Sequence, residues 1–349
     1  MPVIKTVILS FGMSGRVFHA PFIELNPAFE LVGIWERTHS ASLEFYPHIK
    51  IYRSLDEILN DPSIELVIVN TPINTHYEYT KKVLIAGKHA VVEKAFTTTV
   101  EEAIELDELA ISKNLQLSVF QNRRWDSDFT TVKKIIKDGW LGDIVEAEIH
   151  FDRFKTSLSP KLHKEIAGPG AGILNDLGPH LIDQALHLFG MPLAVYAELR
   201  ITRPHSVVDD YFELLLTYSD KVVRLKAGYM VREPIPSYVI HGNKGSFLKS
   251  RADIQETALL ANQKPNVSNW GREPKEEEGL LHTEKDGIVI RQKMPTELGN
   301  YAKYYALVEK AIREKTDMPV TAKEGINVMR IIESALKSHT LKKQILLPY

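Results

Sequence analysis

Two short stretches of this 349-residue chain carry side chains whose types and spacing can do chemistry. In "GPGAGILNDLGPHLIDQALHLFG", Asp176 and His180 are four residues apart, which on a helix puts them on one face, one turn apart. Asp183 and His187 continue that face. An imidazole titrates near neutral pH, so a histidine oriented by a carboxylate can take the proton of a substrate hydroxyl. The same residues can equally form a satisfied polar face. A metal site would use His180 and His187, but their spacing matches no standard metal signature, so no metal is expected. In "VVEKAF", Lys94 closes an apolar strand pattern and offers a cation for a developing alkoxide, although lysines at exposed strand ends are also common.

A third stretch, "TVILSFGMSGRVFHAPF", reads as a buried strand, a glycine turn and a helix. In the dinucleotide fingerprint G-x-G-x-x-G, the first glycine makes the tight turn and the second lets backbone approach a pyrophosphate. The third lets the helix pack close to the strand. Here those places are held by Ser10, Gly12 and Gly15. The last two tasks are kept, and serine serves at the first if its φ is negative. Glu36 ends the following strand about 20 residues on, where the fingerprint expects a carboxylate for the ribose hydroxyls. Its neighbour Arg37 suits a 2′-phosphate instead. Glu36 favours NAD and Arg37 favours NADP. Without a cofactor, the same residues make a plain strand–turn–helix and a solvated strand end. A nucleotide turn, a poised base and a cation together point to hydride transfer, which needs all three around an alcohol carbon.

The elements that must position these groups follow a clear rhythm. Over the first 120 residues, apolar runs ("VIKTVILSF", "FELVGIWE", "IELVIVNTP", "KHAVVEK", "LQLSVF") alternate with helix patterns. The pattern argues a parallel, doubly wound sheet covered on both faces. "THYEYTKKVLIAGK" stops at Gly87, and Thr98 with Glu101 offers a capping box for the next helix. Past residue 120 the period changes. A helix over 128–137 is closed by Gly139, and long alternating strands follow, with Val223, Leu225, Ala227 and Tyr229 on one face of "KVVRLKAGY" and Val222, Arg224 and Lys226 on the other. That is an α/β region with an antiparallel sheet, one face buried and one partly polar. The polar stretch 262–299 reads as loop or hairpin, and two helices close the chain, the last capped by Thr321 and Glu324. The domains expected are 1–120 for the nucleotide and 121–349 for substrate.

The composition sets limits. Hydrophobic residues make up 44% and charged residues 25%, an ordinary globular balance that supplies two cores. A net charge of -2 without a basic stripe argues against nucleic acid and anionic membrane as partners. No cysteine is present, which excludes disulfides, thiolate catalysis and cysteine-ligated metal and fits a reducing compartment. No apolar run reaches the ~18 residues of a bilayer span. A cytoplasmic location is the expectation.

Four motifs together, "FGMSGRVFHAPF", "NTPINTHYEYTKKVLIAGKHAVVEKAF", "FQNRRWDSDF" and "GPGAGILNDLGPHLIDQALHLFG", resemble the glucose-fructose oxidoreductase, inositol dehydrogenase and rhizopine catabolism family (Gfo/Idh/MocA). Within it the likeness is to the NADP-dependent scyllo-inositol dehydrogenase branch, and it runs across nearly the whole chain. It implies a Rossmann domain followed by an α/β domain with an open-faced, mostly antiparallel sheet. It also implies homodimers or homotetramers built through that sheet, and oxidation or reduction of a cyclic polyol or sugar. The family's lysine falls on Lys94 as alkoxide stabiliser, and its D-x-x-x-H pair falls on Asp176 as orienter and His180 as general base. Cofactor contacts fall on Phe11, Gly12, Met13, Ser14 and Gly15 in the turn, on Glu36 and Arg37, and on Thr71, Pro72, His76, Glu93 and Lys94. Substrate contacts fall on Asn122, Arg124 and Trp125 beside Asp176 and His180; arginines there can equally brace the domain junction.

Three departures stand out: Ser10 at the first glycine, Ile73 where the family has asparagine after Thr-Pro, and Ala95 where it has proline after the lysine. Proline makes a cis bond cheap, so the isomer adopted at Lys94–Ala95 bears on where Lys94 points. The leading expectation is an NAD(P)-dependent dehydrogenase of a polyol, inositol or sugar, with NADP the preferred cofactor. A catalytically silent cofactor-binding sensor or repressor is the alternative that Ser10 and Ala95 motivate. A glycosidase that uses bound NAD transiently is a third.

Overall fold

The computed structural model describes residues 2–159 and 165–347. By compactness the chain forms two units. The first is Met1–Trp125 with Ile254–Trp270 and Asn300–Ile326, and the second is Asp126–Asp253 with Gly271–Gly299 and Asn327–Tyr349.

The first unit opens with β1 (Ile4–Ile8), a π-type turn over Gly15–His19, α1 (Ala20–Leu25) and β2 (Phe29–Trp35). Next come β3 (Lys50–Tyr52), α2 (Leu55–Leu59), β4 (Leu66–Val69), α3 (His76–Ile85), β5 (His89–Glu93), α4 (Val100–Ser112) and β6 (Leu117–Phe120). The six strands are all parallel, in the order β3-β2-β1-β4-β5-β6. Sequential order reverses between β1 and β4, the switch point at which open α/β sheets bind ligands. The apolar runs explain the sheet: all four residues of β4 are 0% exposed, as buried parallel strands require. Gly87 follows α3 at φ 75, as its position predicts. The capping box of α4 is displaced by one residue from the expected pair. Thr99 and Glu102 form it, because the Glu102 carboxylate collects the backbone N–H groups of both Thr98 and Thr99. The short edge strand β3 has no apolar run long enough to announce it.

The second unit contains α5 (Ser127–Lys137), β7 (Ile144–Asp152), α6 (Ile173–Asp176), α7 (Gly178–Phe189), β8 (Ala194–Arg200), β9 (Tyr211–Thr217), β10 (Val222–Gly228), β11 (Tyr238–Gly242) and β12 (Gly245–Lys249). After α8 (Gln255–Leu260), which belongs to the first unit, come the hairpin β13 (Gly279–Lys285) and β14 (Ile288–Met294). Then α9 (Ala302–Glu314) belongs to the first unit, the unit boundary falls within α10 (Ala322–Leu341), and β15 (Ile345–Leu346) ends the second unit. The nine strands run β14-β13-β12-β11-β7-β10-β9-β8-β15 and are antiparallel except at β7–β10. Along β10, Val223, Leu225 and Ala227 are 0% exposed while Val222, Arg224 and Lys226 are not buried, so alternation assigns the faces within the strand, whereas Tyr229 lies beyond its end at Gly228 and is only half-buried. Thr321 and Glu324 cap α10 as a mutual pair. Among the described residues no helix is long and apolar enough to cross a membrane.

Candidate active site

The glycine turn is built by contacts that the chain makes with itself. Ser10 Oγ accepts the Gly12 backbone N–H at 3.2 Å, and Ser10 keeps φ out of the left-handed region. Serine at the first corner is therefore accommodated, and its hydroxyl helps close the turn. Asn70, just after β4, donates from Nδ2 to Ser10 O (2.8 Å) and Ser14 Oγ (3.3 Å), tying β4 to the turn. Gly15 has no room to be anything else: a Cβ there would lie 2.0 Å from Ser10 O and 2.9 Å from Asn70 Nδ2. A Cβ on Gly12 would meet only Ser10 Oγ, at 3.4 Å. The third glycine thus serves helix packing and the second leaves backbone open to a ligand, the two tasks of the fingerprint.

A cleft of about 530 Å³ opens over the carboxyl ends of β1, β2 and β4. Phe11 and Gly12 line it from the turn, Glu36 and Arg37 from the end of β2, and Thr71 and Pro72 from the end of β4. Ser10, Trp35, Thr38 and Tyr79 complete much of the wall. Pro72, Thr71 and Thr75 brace one another: Thr75 donates its backbone N–H to Pro72 O at 2.8 Å, and the two threonine hydroxyls are 2.6 Å apart. Glu36 lines the cleft, but its carboxylate is engaged elsewhere. It accepts the backbone N–H groups of Ala41 (3.0 Å) and Ser42 (3.2 Å) and the Ser42 hydroxyl. Arg53 pins the same loop through the carbonyls of Glu36 and His39. Arg37 is exposed at the cleft wall.

The remaining turn residues do not line the cleft. Met13 is 37% exposed, Ser14 accepts from Asn70, and Gly15 is buried against the turn. His76 and Glu93 are buried, and neither contributes to the cleft wall. His76 sets its ring nitrogens against two backbone carbonyls, of Ala95 and Thr71. Glu93 binds His19 Nε2 at 3.0 Å through Oε1 and accepts the Lys94 backbone N–H at 3.1 Å through Oε2. Behind it, His19 Nδ1 meets the Tyr305 hydroxyl. Burial works to raise the Glu93 pKa, but the hydrogen bond and charge of His19, together with the charge of Lys94, hold it below the usual carboxylate value. Lys94, half-buried, follows this anchored carboxylate, and the Lys94–Ala95 peptide bond is cis.

The segment "QNRRW" is structurally engaged within the first unit. Asn122 is 4% exposed. Arg124 donates to Glu324 Oε1 at 2.8 Å and Pro319 O at 3.3 Å, and the Trp125 ring meets Tyr304 edge-on at 5.5 Å.

Asp176 and His180 lie in the second unit, and not on one continuous helix as their spacing predicts. Asp176 ends the one-turn α6, and His180 sits in the first turn of α7. Pro179 causes the break: it has no N–H to continue the ladder, and it fits the start of a new helix. His180 is 6% exposed and Asp176 half-buried. A residue that sequence reasoning missed sets the start of α6. Asp209 accepts the Leu174 N–H on Oδ2 and the Ile173 N–H on its carbonyl, both at 2.8 Å. Gly172, at φ 86, leaves the space that Asp209 occupies, for a Cβ there would fall 1.9 Å from Oδ1. Burial pushes the Asp209 carboxyl pKa up, against the N–H groups that lower it. No local pattern marks Asp209, which lies 35 residues from the turn it caps. Gln184, one turn beyond His180, accepts from the Tyr238 hydroxyl at 3.2 Å and fixes α7 over the sheet. Among the described residues, no cluster of His, Asp and Glu could hold a metal ion.

The chain's relatives agree with this architecture. A family model described as "Oxidoreductase family, NAD-binding Rossmann fold" matches residues 4–121, and one described as "Oxidoreductase family, C-terminal alpha/beta domain" matches residues 133–347. The scyllo-inositol 2-dehydrogenase (NADP(+)) of Bacillus subtilis is 42% identical over 347 residues, 99% of this chain and 96% of that protein. A solved Bacteroides fragilis protein is 46% identical with a TM-score of 0.91, covering 99% of this chain and 100% of that one. A solved Bacillus subtilis protein is 41% identical with a TM-score of 0.95, covering 99% of both.

Proposed function

This chain belongs to the Gfo/Idh/MocA family of oxidoreductases, and on that premise we propose that it moves hydride between NADP and a ring hydroxyl or ketone of a cyclic polyol or sugar. The observation that carries the reading is the cleft at the switch point of the first sheet, which is lined by both Gly12, with space beside its backbone, and the exposed Arg37. These residues fit a dinucleotide. The glycine turn suits a pyrophosphate, and Arg37 suits a 2′-phosphate because the Glu36 charge is already taken up by Ala41 and Ser42. When bound, the cofactor supplies a nicotinamide ring that accepts or returns hydride.

The chain's own residues do the rest. His180 takes the hydroxyl proton as general base, oriented by Asp176, and Lys94 stabilises the oxygen as it becomes alkoxide and then carbonyl. The alcohol loses one hydride and one proton, and the ketone, the reduced cofactor and a protonated His180 account for both. Glu93, bound to His19, fixes the backbone from which the Lys94 side chain extends. The partly polar face of the second sheet is read as the surface for a homodimer or homotetramer, which light scattering on the purified protein would test.

The decisive experiment incubates the protein with a panel of inositols and aldoses and either NADP or NAD, following the absorbance of reduced nicotinamide. Turnover on a cyclic polyol with NADP is expected. A folded protein that turns over none of the panel with either cofactor, yet binds one tightly, would replace this reading with that of a sensor.

A further inference from the structure

The first residue of α3, His76, is 1% exposed and lies between two backbone carbonyls. Nδ1 is 2.9 Å from the carbonyl of Ala95, the residue after Lys94. Nε2 is 2.8 Å from the carbonyl of Thr71, in the turn that lines the cofactor cleft. Both partners can only accept, so each contact is a hydrogen bond only while that nitrogen carries a proton. A neutral ring serves one carbonyl at a time, and an imidazolium serves both. Burial outweighs the two carbonyls and the charge of Glu93 and leaves the histidine's pKa below its ordinary value, so near neutral pH the ring donates to one carbonyl at a time. One side chain thus stands between the two turns that chemistry must hold in register, donating to one or the other according to its tautomer, and because it is absent from the cleft wall it acts on them only through backbone.

Building on the dehydrogenase reading, we propose that His76 is a positioning residue with two separable tasks. With its proton on Nε2 the ring holds the Thr71–Pro72 turn in shape for the cofactor, and with it on Nδ1 the ring holds the loop that aims Lys94. A histidine that only filled space would not need an acceptor on each nitrogen. Nor would those acceptors belong to a residue of the cofactor turn and to the neighbour of the lysine.

The tasks can be separated because asparagine places its amide nitrogen where Nδ1 stands and glutamine where Nε2 stands. His76→Asn keeps a donor for Ala95 and loses the one for Thr71, while His76→Gln does the reverse. Cofactor Kd is measured by quenching of tryptophan fluorescence, and kcat on whichever polyol the wild type oxidises. H76N should raise Kd about tenfold more than H76Q, and H76Q should lower kcat about tenfold more than H76N, the scale of one hydrogen bond. H76A should show both losses. If H76N and H76Q move Kd and kcat in step, tracking only their thermal midpoints, the proposal is overturned. The binding arm needs no turnover. Should the wild type oxidise no polyol, the dehydrogenase reading fails on its own, and the order of Kd values still decides: H76N weaker than H76Q supports the assignment, equal or reversed values overturn it.

Discussion

The carboxylate of Glu36 is bound to Ser42: Oε2 accepts the Ser42 backbone N–H at 3.2 Å and its hydroxyl, while Oε1 takes the N–H of Ala41. A carboxylate at the end of the second Rossmann strand ordinarily reaches for ribose hydroxyls and repels a 2′-phosphate. Here it is spent on the loop, and Arg37 is left at the cleft wall. Replacing Arg37 with Ala should therefore weaken NADP about ten- to a hundredfold, the value of one or two charge-assisted hydrogen bonds, and weaken NAD far less. Titrating both cofactors checks this, and equal losses would mean that Arg37 does not meet the phosphate.

The two turn glycines should fail differently. A Cβ at position 15 collides with Ser10 O at 2.0 Å, so Gly15→Ala forces the turn apart and should cost about 1–3 kcal/mol of stability, as overpacking does, together with cofactor binding. A Cβ at position 12 meets nothing closer than 3.4 Å. Gly12→Ala should therefore leave the thermal midpoint near that of the wild type and weaken the cofactor alone. Thermal melts with and without NADP separate the two outcomes.

In the proposed reaction Lys94 and His180 act on the substrate oxygen. His180→Asn should lower kcat by about 10²–10⁴, the range for loss of a general acid–base group. Lys94→Ala should lower it by about 10²–10³, as loss of a preorganised charge does. Steady-state kinetics on the best polyol measure both. A His180→Asn enzyme within a few-fold of wild type would move the base elsewhere.

How much of this was readable from residues alone varies with distance along the chain. Strands β1, β2, β4, β5 and β6 announce themselves because parallel strands covered on both faces are near-continuous apolar runs, most completely in the "LVIV" of β4. The glycine turn was legible for the same reason of locality: its three positions lie within six residues. The brace from Asn70 to Ser10 and the His19–Glu93 pair span 60 and 74 residues, and no periodicity records such contacts. The spacing of Asp176 and His180 predicts one helical face, whereas Pro179, with no N–H to continue the ladder, restarts the helix between them. The membership of Ile254–Trp270 and Asn300–Ile326 in the first unit is likewise a property of tertiary packing, and the sequence gives no composition shift at those borders.

The last prediction concerns acid. His89 Nδ1 accepts the Gln116 backbone N–H at 3.0 Å, where β5 begins beside β6, so the ring must be unprotonated at that nitrogen to hold the bond. Burial lowers its pKa, the Glu65 charge opposes this, and the Arg313 charge adds to it, leaving the folded value depressed. The unfolded chain therefore binds the proton first, at about pH 6.5. His89 contributes its full stability above that pH, and the contribution is lost as pH falls through it towards the folded-state value, where the unfolded state holds more protons. The urea midpoint should accordingly drop between neutral and mildly acidic buffer. His89→Asn keeps an acceptor for Gln116 without a titrating ring, so its midpoint should fall less over the same interval. Parallel pH dependence in the variant and the wild type would remove His89 from the account of acid sensitivity.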